Sequence, residues 1–251
     1  MRDQIPIEAL PRTSGLTIKR LKSLGVETYE HLAHYYPARY EDYSVVSTIA
    51  RAQPGETVTL KGTIISFVSN RTKRGLAMQK AVLTDATARI DLVWYNQPYL
   101  ANTLVPPIEV AVAGEIEIFG KGKTMKPKEY EILPDASAPT QHTGRLVPVY
   151  PQTYGLSSKT IREKIATVIN YVQEAGDTSD YLPSEIRDMH GLLDENTALH
   201  YIHFPKIMHE VDQAKMRLGF DELFIKLLSS RLVRKQWEEE TVTHAFSFSK
   251  T

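Results

Sequence analysis

One short basic string could act on a phosphate group. Residues 120–124 read Gly-Lys-Gly-Lys-Thr, which is similar to the end of a nucleotide-binding P-loop. A complete P-loop has a glycine five positions before the Gly-Lys pair and a helix after it. Here Glu117 stands at the first of these places, and Pro127 interrupts the second. The string is therefore interpreted as a basic hairpin between two strands.

The histidines and carboxylates form no recognisable catalytic or metal-binding pattern. His31 and His34 are three residues apart, as are His200 and His203, a spacing that could place two imidazoles on one helix face. There is no cysteine, no His-Glu-X-X-His pattern and no Gly-X-Ser-X-Gly string. We therefore predict no catalytic residue, no metal site and no cofactor in this chain.

Two runs of basic residues could contact phosphates without catalysis. The 30 Lys and Arg residues balance the 30 Asp and Glu residues, but residues 51–130 carry 11 basic side chains against 7 acidic ones. The surplus is concentrated in two runs, which are Arg71, Lys73 and Arg74, and then Lys121, Lys123, Lys126 and Lys128. Solvated hairpin tips have the same composition, but two such runs on one rim favour contacts with DNA phosphates.

Two tyrosines between these runs are candidates for stacking on bases. In the alternating stretch 89–95, Trp94 is in phase with Ile90 and Leu92, so Tyr95 faces the opposite side. Tyr99 follows four residues later. An exposed ring beside a basic groove can stack on an unpaired base and contribute about 1–3 kcal/mol. The alternative is that both rings are partly buried and structural.

A small β-barrel would bring these residues together. After Pro54 and Gly55, hydrophobic residues recur with period two and predict five strands, at about 57–64, 78–84, 89–95, 108–118 and 125–132. A short helical or irregular crossing at 97–104 favours an OB-type barrel over an SH3-like one. In OB folds, the loops after strands one and four flank the oligonucleotide-binding face. Both basic runs lie on or beside these loops.

Helices are predicted on both sides of the barrel. Residues 1–50 have the leucine spacing and capping residues of a helix-hairpin-helix-like region. The barrel is predicted at 51–133, and 134–144 is rich in proline, serine and threonine, as linkers are. Residues 145–251 are predicted to be helical, with a long helix from Val211. The fold class is therefore α+β, with a five-stranded OB-type barrel between two helical regions.

Composition favours a soluble intracellular protein. Without cysteine there can be no disulfide framework, which is consistent with a reducing compartment. No stretch approaches the roughly 18 consecutive apolar residues of a membrane helix, and the N-terminus lacks the apolar segment of a signal peptide. We expect a cytoplasmic, monomeric protein that has no membrane partner.

Four segments, in order along nearly the whole chain, carry a family resemblance. They read HLAHYYPARYEDYS (31–44), VWYNQPYL (93–100), LVPVYPQTYGLSSKTIR (146–162), and ALHYIHFP followed by AKMRLGFDELF (198–224). Together these segments resemble the N-terminal wedge region, an OB fold, of the ATP-dependent DNA helicase family RecG. Each segment is weak by itself, and the order and spacing of the four carry the resemblance.

The resemblance implies a wedge at the branch point of a replication fork or Holliday junction. Such a wedge splits the strands while a separate motor pulls the duplex, in DNA recombination and repair. It implies that Tyr95 and Tyr99 are the aromatic pair that stacks at the branch point, that residues 39–42 link the helical region to the barrel, and that the helix from Val211 packs against the motor. Branched DNA and helicase motor domains, in cis or in trans, are the expected partners. ATP and Mg²⁺ would belong to the motor, because this chain has no P-loop.

The sequence departs from the family pattern in three places. The turn at 13–16 has one glycine, which weakens phosphate binding there, and 127–130 reads Pro-Lys-Glu-Tyr where the family has His-Pro-Glu-Tyr. The sequence also ends at Thr251, before any motor motif. Two other functions stay open, which are a free-standing OB protein that coats single-stranded DNA and an interaction scaffold whose long helix recruits a partner protein.

Overall fold

The computed structural model describes residues 5–72, 75–120, 122–135, 138, 140, 143–174 and 180–239. Its strands are β1 (Arg39–Asp42), β2 (Val46–Ser47), β3 (Thr57–Arg71), β4 (Ala77–Thr84), β5 (Arg89–Tyr95), β6 (Ile108–Phe119), β7 (Gly122–Ile132) and β8 (Leu146–Val149). Its α-helices are α1 (Gly15–Ser23), α2 (Tyr29–Ala33), α3 (Leu100–Thr103), α4 (Ser158–Glu174), α5 (Ser184–His190), α6 (Glu195–His203) and α7 (Met208–Glu239).

Five of the strands form a closed barrel. Their order is β3, β4, β5, β7 and β6, and β6 pairs back onto β3. Neighbouring barrel strands are antiparallel except β5 and β7, which are parallel. The helix α3 crosses between β5 and β6, which are the third and fourth strands of the barrel. These features confirm the predicted α+β fold with an OB-type barrel between helical regions.

The first barrel strand is longer than its alternating pattern indicated. The first half of β3 pairs with β6 and its second half with β4, so one strand belongs to both sides of the barrel.

Two glycines allow the barrel strands to approach each other closely where they bend. A Cβ on Gly62 would overlap the carbonyl oxygen of Thr84, and one on Gly114 would lie 2.6 Å from the carbonyl oxygen of Lys126. A larger residue at either place would force the strands apart.

The helical regions before and after the barrel share one hydrophobic core. The helices α1 and α2 pack there with α4, α6 and the first half of α7, and the buried residues include Ile7, Leu21, Leu32, Ile161, Ile165, Val168, Ile202, Val211 and Leu218. The strands β1 and β8, which the alternation did not predict, pair antiparallel between the two regions.

The domain boundaries at residues 50, 133 and 144 stay predictions. Within the predicted linker, Ala138 packs against Ala111 and Leu133.

Two buried polar side chains tie distant parts of this helical core together. His203 lies between α2 and β8, where its Nε2 is 2.7 Å from the carbonyl oxygen of Ala33 and its Nδ1 is 2.8 Å from the hydroxyl of Tyr150. Arg217 on α7 is fully buried and donates to the carboxylates of Asp180 and Asp221 at 2.7–3.0 Å. The helix α7 is thus anchored through its first half.

The second half of α7 extends away from this core. The helix is 32 residues long, and residues 225–239 are exposed. The exposed residues include large apolar side chains, among them Leu227, Leu228, Leu232 and Trp237. Among the described residues, none of the helices combines the length and the apolar character that a bilayer span requires.

Candidate nucleic-acid interface

The candidate stacking pair lies at one end of the outer barrel surface. Tyr95 is the last residue of β5 and is 43% exposed, whereas the neighbouring Trp94 is buried, as the alternation predicted. Tyr95 pairs with Met78 on β4, and Met78 pairs with Asn70 on β3, so the three residues form one row across three strands. Tyr99 stands at the start of α3 and is 55% exposed.

A fixed turn connects the two tyrosines. Asn96 adopts the left-handed conformation, with φ of 56°, and its amide donates to the carbonyl oxygen of Ala77 at 2.8 Å. The amide of Gln97 donates to the side-chain oxygen of Gln79 at 3.1 Å. The hydroxyl of Tyr99 donates to the side-chain oxygen of Gln97 at 2.9 Å. These bonds restrain the backbone between the two tyrosines and the hydroxyl of Tyr99, which sequence spacing alone could not indicate.

The first basic run begins close to this pair. Arg71 is the last residue of β3, is exposed, and pairs with Ala77 at the base of the β3–β4 hairpin. It is therefore one register position from the row that contains Tyr95, so its side chain leaves the strand on the opposite face of the sheet. Lys73 and Arg74 lie outside the described residues. The structure thus brings Arg71 to the same end of the barrel as the tyrosines.

The lysines of the second run differ in their contacts. Lys123 is partly buried, and its Nζ donates to the carbonyl oxygens of Ala52 at 2.6 Å and Ala50 at 3.3 Å. Lys126 forms an ion pair with Glu117 at 2.7 Å, which raises the pKa of its ammonium group. Lys128 is exposed on β7. Lys121 lies outside the described residues.

The second run begins at the far end of β5 from Tyr95 and continues along β7 toward it. Thr124 pairs with Asp91 near the start of that strand, so Lys123 lies far along β5 from Tyr95. Because β5 and β7 run parallel, Lys126 and Lys128 follow toward the Tyr95 end. The phenol of Tyr95 is close enough to Lys126 to help raise the pKa of that lysine. Of the second run, Lys126 and Lys128 therefore lie on the side of the tyrosine pair, and Lys123 does not.

Several neighbours of the pair were not indicated by the sequence. Val68, Lys80 and Val93 form the next row across the outer surface of β3, β4 and β5. Tyr130 lies near Tyr99. Burial raises the pKa of the Tyr130 hydroxyl, and the nearby hydroxyl of Tyr99 raises it further. The ammonium group of Lys159 lies 4.4 Å from the centre of the Tyr130 ring. An aromatic surface therefore continues from the pair toward the start of α4.

The histidine pairs have structural contacts. The ring of His31 accepts a hydrogen bond from the amide of Glu27, and the ring of His34 contacts the carbonyl oxygen of Glu30 at 3.0 Å. Complete burial lowers the pKa of His203 to about 4, so this ring is neutral near pH 7. Within the described ranges, no group of three or more His, Asp or Glu residues is placed to hold a metal ion.

The fold and the candidate site define an OB-barrel protein with a helical flank and an exposed aromatic pair. The family model of the RecG wedge domain matches residues 14–172, which is more than half of the chain. The chain therefore belongs to the RecG wedge domain family, and the resemblance seen in the sequence is confirmed.

Curated relatives and one solved structure match over most of this chain. The ATP-dependent DNA helicases RecG of Synechocystis sp. and Thermotoga maritima are 31% and 30% identical, over 94% and 88% of the chain. A structure of RecG bound to a three-way DNA junction is 28% identical and matches 94% of the chain with a TM-score of 0.71. The chain spans 30% and 28% of the two relatives and 32% of that solved chain.

Proposed function

We propose that this chain binds branched DNA, at replication forks and Holliday junctions, and splits the strands at the branch point as the wedge of a RecG-like helicase. Tyr95 and Tyr99 stack on the bases that are exposed where the strands separate. One observation carries this proposal: two exposed tyrosines are held by a fixed turn at one end of the OB barrel. The placement supports stacking rather than simple partial burial.

Phosphate contacts hold the DNA on this face. Arg71 and Lys128 are exposed and are candidates for this role. Arg71 ends β3 at the tyrosine end of the barrel, and Lys128 lies on β7, where its charge also acts on Glu41. Lys126 can contribute if a phosphate competes with Glu117 for its ammonium group. The charge of Lys123 adds to the local potential, but its hydrogen bonds keep it at the edge of the barrel. Lys73, Arg74 and Lys121 stay proposed contacts from the sequence.

A helicase motor supplies the ATP hydrolysis in this proposal. The relatives are ATP-dependent DNA helicases about three times as long as the matched region. The exposed apolar residues of α7 offer a surface that motor domains, in cis or in trans, can cover. The wedge then acts in DNA recombination and repair in the cytoplasm, and the chain binds DNA as a monomer.

A competition experiment tests the proposal. A labelled three-way fork bound to the chain is displaced by matched unlabelled fork, single-stranded DNA or duplex at one salt concentration. The fork should compete best, and this preference should be lost in the Tyr95→Ala, Tyr99→Ala double variant. A Tyr95→Phe, Tyr99→Phe variant is the matched control, because it keeps both rings and should keep the preference.

The other outcomes distinguish the two alternatives. Tight binding of single strands without fork preference would favour an OB protein that coats single-stranded DNA. Weak binding of all three DNAs with little dependence on salt would favour an interaction scaffold, since phosphate contacts release counterions. If the double alanine variant bound the three DNAs as the wild type does in either case, the wedge role of the two tyrosines would be contradicted.

A further inference from the structure

The side chain of Gln79 is an unusual feature of the barrel near the tyrosine pair. Gln79 lies on β4 and is completely buried, although glutamine is seldom fully buried. Its neighbours along the strand, Met78 and Lys80, face outward, so Gln79 points into the end of the barrel. A buried amide has to satisfy its polar atoms within the protein.

Both polar atoms of this amide have partners. The oxygen of Gln79 accepts from the backbone amide of Gln97 at 3.1 Å, and its nitrogen donates to the hydroxyl of Ser69 at 3.2 Å. The orientation of the side-chain amide follows from the first bond, because a backbone N–H can only donate. Gln79 thus connects β3, through Ser69, to the turn that follows β5.

The turn held by Gln79 is the segment between the two tyrosines. Gln97 is two residues from each ring, and its own side chain accepts from the hydroxyl of Tyr99. The amide of Asn96 also bonds to Ala77 on β4, so among the described residues Gln79 provides a second anchor for this turn. A change in the anchor at Gln97 would move Tyr99 relative to Tyr95.

We propose that Gln79 is a positioning residue, whose buried amide sets the separation and orientation of Tyr95 and Tyr99 for stacking at a DNA branch point. This inference rests on the proposed function. Gln79 does not contact DNA itself, because its side chain is inside the barrel. Its replacement should act only through the tyrosine pair and leave phosphate contacts unchanged.

The test uses the full 251-residue chain and compares affinities for fork and duplex. Gln79→Met keeps the length of the side chain but removes the acceptor for the Gln97 amide. The fork-over-duplex preference should fall about tenfold, as expected when one of the two rings no longer stacks. The dependence of duplex binding on salt should stay as in the wild type, because the basic residues are untouched. Gln79→Glu, which burial holds as the neutral acid, keeps an acceptor oxygen for Gln97 and a donor for Ser69 and should restore most of the preference.

A double-mutant comparison separates positioning from a general loss of stability. In the Tyr95→Ala, Tyr99→Ala background, Gln79→Met should have no further effect on fork preference, because there are no rings left to position. Ile90→Val is the matched control, since it weakens the same barrel core without touching the turn. It should lower the melting temperature and leave the preference unchanged.

Each result has a definite meaning. If the tyrosine variant loses fork preference and Gln79→Met keeps it, the positioning role of Gln79 is wrong and the wedge proposal stands. If the tyrosine variant itself keeps fork preference, the wedge proposal fails, and the role of Gln79 fails with it. Should Gln79→Met not fold, Gln79→Asn makes the same test, because its shorter side chain withdraws the carbonyl from Gln97 while staying polar.

Discussion

Lys123 and Lys128 lie on the same strand but differ in what their ammonium groups contact. Lys123 donates to two backbone carbonyls, whereas Lys128 is exposed. In the sequence both were equivalent members of one basic run. The distinction depends on residues 50–52, which precede β3 in the chain and come to lie against the start of β7, and no local pattern indicates such a contact.

This difference predicts distinct effects of alanine substitutions. Lys128→Ala and Arg71→Ala should each weaken fork and duplex binding alike and reduce the slope of log affinity against log salt by about 1. Lys123→Ala should leave that slope nearly unchanged and lower the free energy of unfolding by about 1–2 kcal/mol, because two carbonyl oxygens lose their donor. Titrations at several salt concentrations and urea unfolding measure the two quantities. Equal slope changes for all three variants would contradict this division of roles.

His203 makes the helical core sensitive to acid. The folded-state pKa is about 4, below the ordinary value of 6.5, since the buried ring disfavours the charged form. Below the ordinary pKa the unfolded chain binds a proton that the folded chain does not, so stability falls as the pH is lowered from about 6.5 toward 4.

The expected size of this effect can be measured by urea unfolding. Between about pH 7 and pH 5 the wild type should lose about 2 kcal/mol through His203. His203→Gln should be less stable at pH 7 but should lose much less over this interval, because glutamine does not titrate. A variant that lost as much stability as the wild type would show that other groups cause the acid sensitivity.

At the scale of elements, regular alternation was the strongest guide. The five barrel strands were predicted near their observed positions because each buries one face in a regular period, and the crossing at α3 was also expected. The strands β1 and β8 were missed. They are four residues each, and their partners are more than 100 positions apart in the chain, so the pairing leaves no local signal.

Glycines at the barrel bends provide a test at this scale. Gly62→Ala and Gly114→Ala should each lower the free energy of unfolding by about 1–3 kcal/mol, because the added methyl meets a carbonyl oxygen on the neighbouring strand. Gly122→Ala is the matched control, since nothing lies within 4 Å of the added carbon. Thermal unfolding of the three variants makes the comparison. A control as unstable as the other two would mean that barrel closure does not depend on close strand approach.

The whole molecule has two hydrophobic cores with different roles, one in the barrel and one among the helices. The barrel core holds the face that carries Tyr95 and Tyr99, and the helical core joins the segments before and after the barrel. The sequence indicated helices on both sides, but it could not show that they share a core, because their contacts join residues far apart in the chain. The exposure of Tyr95 was predictable from alternation, and its pairing with Tyr99 for stacking stays a prediction from the family resemblance. The hydrogen bond from Gln97 to the buried Gln79 was not predictable from the sequence.

The exposed second half of α7 predicts uneven protection along one helix. In the isolated chain, amide hydrogens of residues 225–239 should exchange much faster than those of 211–221, because the described part of the chain leaves these turns exposed. Hydrogen exchange followed by mass spectrometry measures this directly. Uniform protection along α7 would contradict the model of an uncovered segment and would indicate that copies of the chain associate through it.

The most direct test of the central claim places a fluorescent base analogue at the branch point. A fork carries 2-aminopurine either at the branch or well inside one arm, and the chain is added to saturation. A fluorescence change is expected at the branch position alone, because stacking on Tyr95 and Tyr99 alters only bases where the strands part. The change should disappear in the Tyr95→Ala, Tyr99→Ala variant at the same saturation. A response that is equal at both positions, or unaltered in the variant, would contradict the wedge.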